Sequence, residues 1–211
     1  MPKKKIGYNE AYSVKTPEDS IELYKKWAKT FDSDFALSSN YVSHIKISSF
    51  FKKYARNTDA PILDVGAGTG LVGKCLNKID NKIIIGIDIS PEMLEKAKLT
   101  GCYSSLIEED VTKKISLKSH SIGAVVSAGT FTHGHVGPNA FDELLRITKP
   151  GGLFVLSINT KVFVKNGFKE KLMQIKNNIS APLFYKFKVH NNKDEKFVNI
   201  KVFACIFRKN F

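Results

Sequence analysis

Apolar and polar positions follow two different spacings along this chain. Between residues 61 and 160, short apolar runs alternate with segments whose apolar residues lie three or four positions apart. The runs predict strands and the wider spacing predicts helices, because side chains on one face repeat every two residues in a strand and every 3.6 in a helix. The predicted strands are 62–65, 82–87, 103–107, 122–127 and 153–158; the predicted helices start after Gly70, at Ser90-Pro91 and at Pro138.

The two ends of the chain have different patterns. Near the N-terminus, Thr16-Pro17-Glu18-Asp19 predicts a helix start that continues to about Thr30, and a second helix is predicted from about Tyr41 to Tyr54. After the fifth strand, a helix is predicted within Val164–Ile179. Two strands, Leu183–Val189 and Phe197–Phe207, then flank a turn-rich stretch at 190–194 and predict a hairpin.

Together these elements predict one α/β domain of 211 residues. Strands that alternate with helices form a parallel, doubly wound sheet, because each crossover returns the chain in the same direction. The terminal hairpin adds two strands, so we expect a mostly parallel seven-stranded sheet with an antiparallel C-terminal hairpin.

The net charge of +13 raises the question of nucleic-acid binding. Of the 33 basic residues, 30 are Lys, and Arg occurs only at Arg56, Arg146 and Arg208. Arg is the side chain whose planar fork binds phosphates and guanine edges bidentately. The composition therefore favours a solvated lysine surface, with RNA as the alternative partner.

The cysteines bear on the cellular compartment. Cys75, Cys102 and Cys205 are odd in number and widely spaced, which fits neither a disulfide framework nor a zinc site. We therefore expect a reducing, cytoplasmic environment. The basic start of the chain lacks the apolar stretch of a signal peptide, and the apolar runs are too short to span a bilayer, so we expect no membrane association.

A glycine-rich turn, Gly66-Ala67-Gly68-Thr69-Gly70, joins the first predicted strand to its helix. Glycines at this place let a ligand approach the backbone and meet free N–H groups at a helix N-terminus. Residues 68–73 can be fitted to a dinucleotide fingerprint. A phosphate loop is also approximated, but Cys75 replaces the hydroxyl that would bind Mg²⁺.

Two carboxylates near the turn indicate which class of ligand it binds. Asp64 precedes the turn by two residues, where it would repel a pyrophosphate but suit a ligand carrying an ammonium and a sulfonium. Asp88 ends the second predicted strand, 18 residues after Gly70, where an acid accepts hydrogen bonds from adenosine ribose hydroxyls.

With both acids in place, residues 62–70 resemble motif I of the class I S-adenosylmethionine-dependent methyltransferases, which have a Rossmann-like fold. Residues 86–90 resemble the acidic motif that follows, 108–111 the adenine-contacting motif, and 144–152 the helix–turn before strand five. More narrowly, Tyr24, Trp27-Ala28, Phe31-Asp32 and Asn40-Tyr41 are similar to the N-terminal lid of the methyltransferase-like group named after the Williams–Beuren syndrome region.

The resemblance implies a division into an N-terminal helical lid at 1–57, a cofactor-binding core at 58–160 and a C-terminal helix and hairpin at 161–211. It implies S-adenosylmethionine as cofactor and S-adenosylhomocysteine as product. The implied cofactor-binding residues are Tyr24, Trp27, Tyr41, Asp64, Gly66, Ala67, Gly68, Gly70, Asp88, Ile89, Met93, Asp110, Val111, Ser127, Ala128 and Gly129.

Two histidines follow the fourth predicted strand. His133 and His135 should overhang the methyl donor, and either can serve as a general base because imidazole titrates near neutral pH. The alternative interpretation is that they only pack. No carboxylate lies close to them in sequence, so we predict no metal site.

We expect a small-molecule methyl acceptor, with oxygen, nitrogen or carbon as the accepting atom. The chain has no [DN]-P-P-[YF] motif and no Pro-Cys nucleophile after strand four, and 127–137 contains no glutamate. These absences disfavour adenine, cytosine C5 and arginine methylation. An RNA methyltransferase and a non-catalytic protein that binds the cofactor are the alternatives.

Overall fold

The computed structural model describes residues 10, 14, 16–37, 39–77, 83–191 and 200–211. Seven strands form one sheet in the order β3-β2-β1-β4-β5-β7-β6. The strands are β1 Ile62–Val65, β2 Ile84–Asp88, β3 Ser105–Glu108, β4 Ile122–Phe131, β5 Thr148–Asn159, β6 Leu183–Lys188 and β7 Lys201–Arg208.

Strand direction confirms the predicted fold class. Strands β1 to β5 pair in parallel, with Leu63 opposite Ile85 on one side and Val125 on the other. β7 is antiparallel to both β5 and β6. Of the turn predicted between the last two strands, residues 192–194 lie outside the described residues.

The helices surround this sheet. They are α1 Pro17–Trp27, a π-helix Asp32–Leu37, α2 Ser43–Tyr54, α3 Leu71–Leu76, α4 Pro91–Lys98, α5 Ala140–Ile147, α6 Val162–Lys165 and α7 Phe168–Gln174. In the described part of the chain, no helix has the length and apolar character needed to cross a membrane.

Helix α1 begins where the sequence predicts. The Thr16 side chain accepts from the Asp19 N–H at 3.1 Å, and the Asp19 carboxylate accepts from the Thr16 N–H at 3.1 Å. This reciprocal capping satisfies two backbone donors that have no partner within the helix.

Several element boundaries differ from the sequence prediction. β5 begins at Thr148 rather than at 153, because Thr148 pairs with Ile122 of β4. β4 continues four residues beyond Ser127, because Phe131 is buried and anchors the end of the strand in the core. The helix predicted within 164–179 is α7; the short helix α6 precedes it, and Gly167, with φ +80°, separates the two. The π-helix has no counterpart in the predicted elements.

The central strands divide the core into two apolar layers. On β1, Leu63 and Val65 face one layer, while Ile62 faces the layer that contains Ile47 and Phe51 of α2. Both faces of β1 are therefore covered, which is why the strand is buried along its whole length. The carboxyl ends of the parallel strands remain as the edge at which ligands bind in such sheets.

The N-terminal region and the C-terminal hairpin meet at that edge. Tyr41 forms an antiparallel bridge with His190, and the Val42 N–H donates to the Val189 carbonyl at 2.9 Å. The Asn40 side chain adds a hydrogen bond of 2.7 Å to the Asn191 carbonyl. These contacts fix the segment before α2 over the carboxyl end of the sheet.

Candidate functional site

A cleft lies at the carboxyl ends of β1, β2 and β4, with α1 on its far side. Its free space, including the open mouth, is about 1470 Å³. Residues of the glycine turn, the loops after β2 and β4, and side chains between positions 20 and 44 of the N-terminal region line it.

The glycine turn is shaped by positive backbone angles. Gly66, Gly68 and Gly70 have φ of +68°, +53° and +89°, a region that L-residues rarely adopt. A Cβ on Gly66 would lie 2.0 Å from Thr130 Oγ1, which itself hydrogen-bonds the Val65 carbonyl at 3.0 Å. Glycine is therefore needed at position 66 for the ends of β1 and β4 to approach each other.

Asp88 braces the turn from the end of β2. One carboxylate oxygen accepts from the Gly68 N–H at 2.8 Å and the other from the Ser90 N–H at 2.9 Å. Burial raises the pKa of Asp88, and these backbone hydrogen bonds oppose the rise. Each carboxylate oxygen accepts more than one hydrogen bond, so Asp88 retains the capacity to bind hydroxyl groups in the cleft.

Asp64 lies beneath the turn and is fully buried. Its carboxylate accepts from the Tyr103 hydroxyl at 2.7 Å, and that hydroxyl in turn accepts from the Gly73 N–H at 3.2 Å. Burial raises the pKa of Asp64 to about 7, against the lowering effect of the Tyr103 hydrogen bond. Asp64 thus ties β1 to α3 from behind the cleft wall.

The opposite end of the cleft is an apolar slot with a carboxylate beside it. Ile89, Met93 and Val111 supply the apolar surface. Asp110 accepts from the Thr112 N–H at 2.9 Å and from its hydroxyl at 2.6 Å. Burial raises the pKa of Asp110, but the Thr112 hydrogen bonds and nearby Lys113 outweigh it, so the net shift is downward.

Aromatic side chains of the N-terminal region cover the cleft. The ring centroids of Trp27 and Phe31 lie 5.0 Å apart, and those of Tyr24 and Trp27 lie 6.1 Å apart. The π-helix that follows places Asp32 on the glycine turn, where it accepts from the Thr69 hydroxyl at 2.5 Å. The lid and the turn are therefore joined by a charge-assisted hydrogen bond.

His135 faces the cleft from the loop after β4. Its Nδ1 lies 2.7 Å from the His133 carbonyl oxygen, and its Nε2 lies 2.9 Å from the Tyr24 hydroxyl. A carbonyl only accepts, so Nδ1 carries the proton and Nε2 accepts from Tyr24. Burial lowers the pKa of His135, which keeps the ring neutral at pH 7.

A second ring pair lies across the glycine turn. Tyr41 and His44 stack with centroids 5.5 Å apart and an interplanar angle of 23°. A Cβ on Gly129 would lie 2.8 Å from the Tyr41 hydroxyl, so the ring reaches the end of β4. Burial raises the pKa of Tyr41 to about 12, and its hydroxyl stays protonated.

Most of the residues predicted from the sequence line this one cleft. They are Tyr24, Trp27, Tyr41, Gly66, Ala67, Gly68, Asp88, Ile89, Met93, Asp110, Val111, Ala128, Gly129 and His135. Their roles toward a cofactor or an acceptor stay predictions.

Four predicted site residues do not line the cleft: Asp64, Gly70, Ser127 and His133. Asp64 lies behind the turn, as described above. Gly70 precedes α3 and donates its N–H to the Ala67 carbonyl at 2.9 Å. Ser127 is fully buried, and its hydroxyl donates to the Val65 carbonyl at 2.7 Å, which joins β4 to β1.

The sequence prediction did not assign site roles to Asp32, His44, Thr69 and Thr130. Asp32 lies in the N-terminal motif and Thr69 in the glycine turn. An acid and a hydroxyl in those two segments were the sequence signals that could have identified them as site residues. His44 gave none, because a histidine near the start of a helix has no pattern of its own.

Comparison with known proteins agrees with this geometry. Residues 63–156 match the family model described as a methyltransferase domain. The chain is 29% identical over 162 residues to methyltransferase-like protein 27 of Homo sapiens. That similarity covers 76% of this chain and 66% of the human protein, just under two thirds of its length.

Solved structures share the architecture across almost the whole chain. An S-adenosylmethionine-dependent methyltransferase from Aquifex aeolicus superposes with a TM-score of 0.59 at 17% identity, over 87% of this chain and 97% of that one. The fold is that of the class I methyltransferases.

The same fold also occurs in the [4+2]-cyclase SpnF, with a TM-score of 0.68 at 14% identity over 93% of this chain and 97% of that one. Likeness at this identity concerns the fold alone. The family match and the human relative point to a methyltransferase domain, and the solved structures show that its fold is shared.

Proposed function

We propose that this protein transfers the methyl group of S-adenosylmethionine to a small-molecule acceptor. The observation that carries the proposal is the brace between Asp88 and Gly68, which presents a partly buried carboxylate and a glycine turn to one cleft. When bound, S-adenosylmethionine supplies a methyl group on a positively charged sulfonium.

The residues present fit that cofactor. The turn leaves the space that a Cβ would fill, so a ligand can approach its backbone. Asp88 would accept from the ribose hydroxyls, and Asp110 would accept from the adenine amino group beside the apolar slot. Three carboxylates, Asp88, Glu109 and Asp110, line the cleft and favour a ligand of positive charge.

The character of the lining supports a small-molecule acceptor over RNA. Among the described residues, no Lys or Arg lines the cleft. RNA binding relies on basic side chains that neutralise phosphates, together with bases that stack on open aromatic rings. Here Trp27 is fully buried and packs against Phe31, so the aromatic lid covers the cleft instead of offering an open platform.

Tyr24 and His135 offer a route for the acceptor's proton. The acceptor atom gives its proton to the Tyr24 hydroxyl as it gains the methyl group, and Tyr24 passes its own proton to Nε2 of His135. His135 would then hold that proton on Nε2, as an imidazolium. The His133 carbonyl, which accepts from Nδ1, stabilises that imidazolium.

Calorimetry with S-adenosylhomocysteine tests the cofactor. We expect a dissociation constant in the low micromolar range or below, and an absence of binding would refute the assignment. Wild-type protein is then incubated with a cell extract and a methyl-labelled donor, and the extract is separated into small molecules, protein and RNA.

We expect the label in the small-molecule fraction, and we expect it to be lost with His135→Gln protein that still binds S-adenosylhomocysteine. Label in RNA would support the RNA methyltransferase instead. Tight binding without any labelled product would support a non-catalytic protein that binds the cofactor.

A further inference from the structure

The cleft lining has hydroxyl and amide donors but few side chains that can pair a carboxylate with a positive charge. In the part of the chain that the structure describes, its lining has no Lys or Arg, and only His44 and His135 are side chains that can carry a positive charge. A cofactor with an amino-acid end carries an α-carboxylate. That carboxylate requires a donor, because an unpaired charge in a partly buried site is costly.

His135 is already engaged on both sides of its ring. Nδ1 donates to the His133 carbonyl and Nε2 accepts from Tyr24. His44 differs, since neither of its ring nitrogens forms a hydrogen bond within the described residues, and its Nδ1 is buried. His44 is therefore the ring in the cleft with donor capacity to spare.

His44 lies at the glycine-turn end of the cleft. The charged groups that act on its ring are Asp32 and Lys74. Asp32 holds the Thr69 hydroxyl of the turn, and Lys74 lies on α3 directly after the turn, 3.7 Å from Asp32.

Tyr41 fixes the orientation of the ring. The two rings stack at 5.5 Å, and Tyr41 is itself held by its bridge to His190 and by its contact with Gly129. A side chain held on one face by a packed neighbour loses little freedom on binding, which favours a specific polar contact.

From these observations we infer that His44 binds the α-carboxylate at the amino-acid end of the cofactor. The inference rests on the proposed function, because it needs a cofactor with that end in the cleft. It assigns to a histidine a contact for which no Lys or Arg is present among the described cleft residues.

Two ligands separate this contact from the rest of the cofactor site. S-adenosylhomocysteine carries the amino-acid end, and 5′-methylthioadenosine lacks it while keeping the adenosine and the sulfur. Calorimetry with both ligands is carried out on the wild type, on His44→Phe and on Lys46→Ala. The Phe variant keeps a ring against Tyr41, and Lys46 is an exposed positive charge on the same helix.

We expect His44→Phe to bind S-adenosylhomocysteine about tenfold more weakly, as for loss of a hydrogen bond to a charged group, with no change for 5′-methylthioadenosine. Lys46→Ala should leave both ligands unchanged. Equal weakening of both ligands, or of neither, in His44→Phe would overturn the inference. His44→Ala, with thermal unfolding as a check of folding, provides a second variant with the same expectation.

Binding of the two ligands to the wild type tests the proposed cofactor separately from the proposed role of His44. If it binds neither ligand, the proposed cofactor is wrong. If it binds both equally well, the cleft recognises adenosine but has no contact to the amino-acid end, and the role of His44 is refuted while an adenosyl cofactor stands.

Discussion

The hydroxyl of Tyr24 lies 2.9 Å from Nε2 of His135, although the two residues are 111 positions apart in the chain. One belongs to the first helix of the lid and the other to the loop after β4. Their rings lie 5.7 Å apart, centroid to centroid. The hydrogen bond therefore closes the lid onto the core and sets the protonation of the histidine.

Replacing Tyr24 with Phe should raise the pKa of His135. The Tyr24 hydroxyl donates to Nε2 and so favours the neutral ring, and its loss removes that preference. NMR titration of the imidazole nitrogens measures the change. Tyr185→Phe, at a tyrosine outside the cleft, should leave the His135 titration unchanged; an unchanged titration in Tyr24→Phe would mean that Nε2 does not accept from Tyr24.

The hydrogen bond between Asp32 and Thr69 should slow release of the cofactor product. Because this bond ties the lid to the turn, Asp32→Asn and Thr69→Val should each speed dissociation of S-adenosylhomocysteine. A double-mutant cycle on stopped-flow dissociation rates should give a coupling of about 1 kcal/mol. Thr69→Ser, which keeps the hydroxyl, serves as the control, and additive effects would show that the two side chains act separately.

Gly66→Ala should destabilise the protein in two ways: it forces alanine into a left-handed conformation, and it places a Cβ against Thr130. Gly101→Ala separates the two effects. Gly66 has φ +68° and lies against Thr130, whereas Gly101 has φ +66° with nothing near its Cβ position. Gly101→Ala therefore reports the left-handed conformation alone, about 1–2 kcal/mol. We expect Gly66→Ala to lower the free energy of unfolding in urea by more than that, and equal losses would contradict the close approach of β1 and β4.

Asp88→Ala should weaken S-adenosylhomocysteine binding by about 1.5–3 kcal/mol, as for charge-assisted hydrogen bonds. Part of this loss comes from the turn itself, because the Gly68 N–H loses its acceptor. Calorimetry measures the change, with Glu108→Ala as control. Glu108 is the register partner of Asp88 on β3 and is exposed, so its removal should change affinity little. Equal losses in the two variants would indicate a general effect of charge.

Acid should destabilise the protein in part through His190. Burial lowers its pKa to about 4, against an unfolded value near 6.5. The unfolded chain therefore takes up a proton before the folded one does, and stability falls as the pH drops from 6.5 toward 4. By pH 5 this contribution is on the order of 2 kcal/mol.

Urea unfolding at pH 7 and pH 5 should show a smaller loss in His190→Asn than in the wild type. His120→Asn, at an exposed histidine, should retain the full pH dependence. Identical pH dependence in His190→Asn and the wild type would mean that His190 titrates normally in the folded state.

Several of the predicted residues that line the cleft could be placed from local sequence alone. The glycine turn, Asp88, Met93 and Asp110 all follow strands of the parallel sheet, and apolar runs identify such strands without reference to distant residues. Parallel strands bring their carboxyl ends to one edge, so these groups meet once the strand order is known. The wrong boundaries, at the end of β4 and the start of β5, arose where pairing and packing with distant residues extended the strands beyond the local pattern.

The sequence by itself determined the α/β fold, the place of the turn and the acids around it, because each depends on residues close together along the chain. Only the tertiary structure decided which side chains face the cleft. Ser127 and Asp64 do not line it; the Ser127 hydroxyl donates to the Val65 carbonyl, and one oxygen of Asp64 accepts from Tyr103. Tyr24 meets His135, and Asp32 meets Thr69, through packing of the lid, and no local pattern encodes a contact between such distant segments.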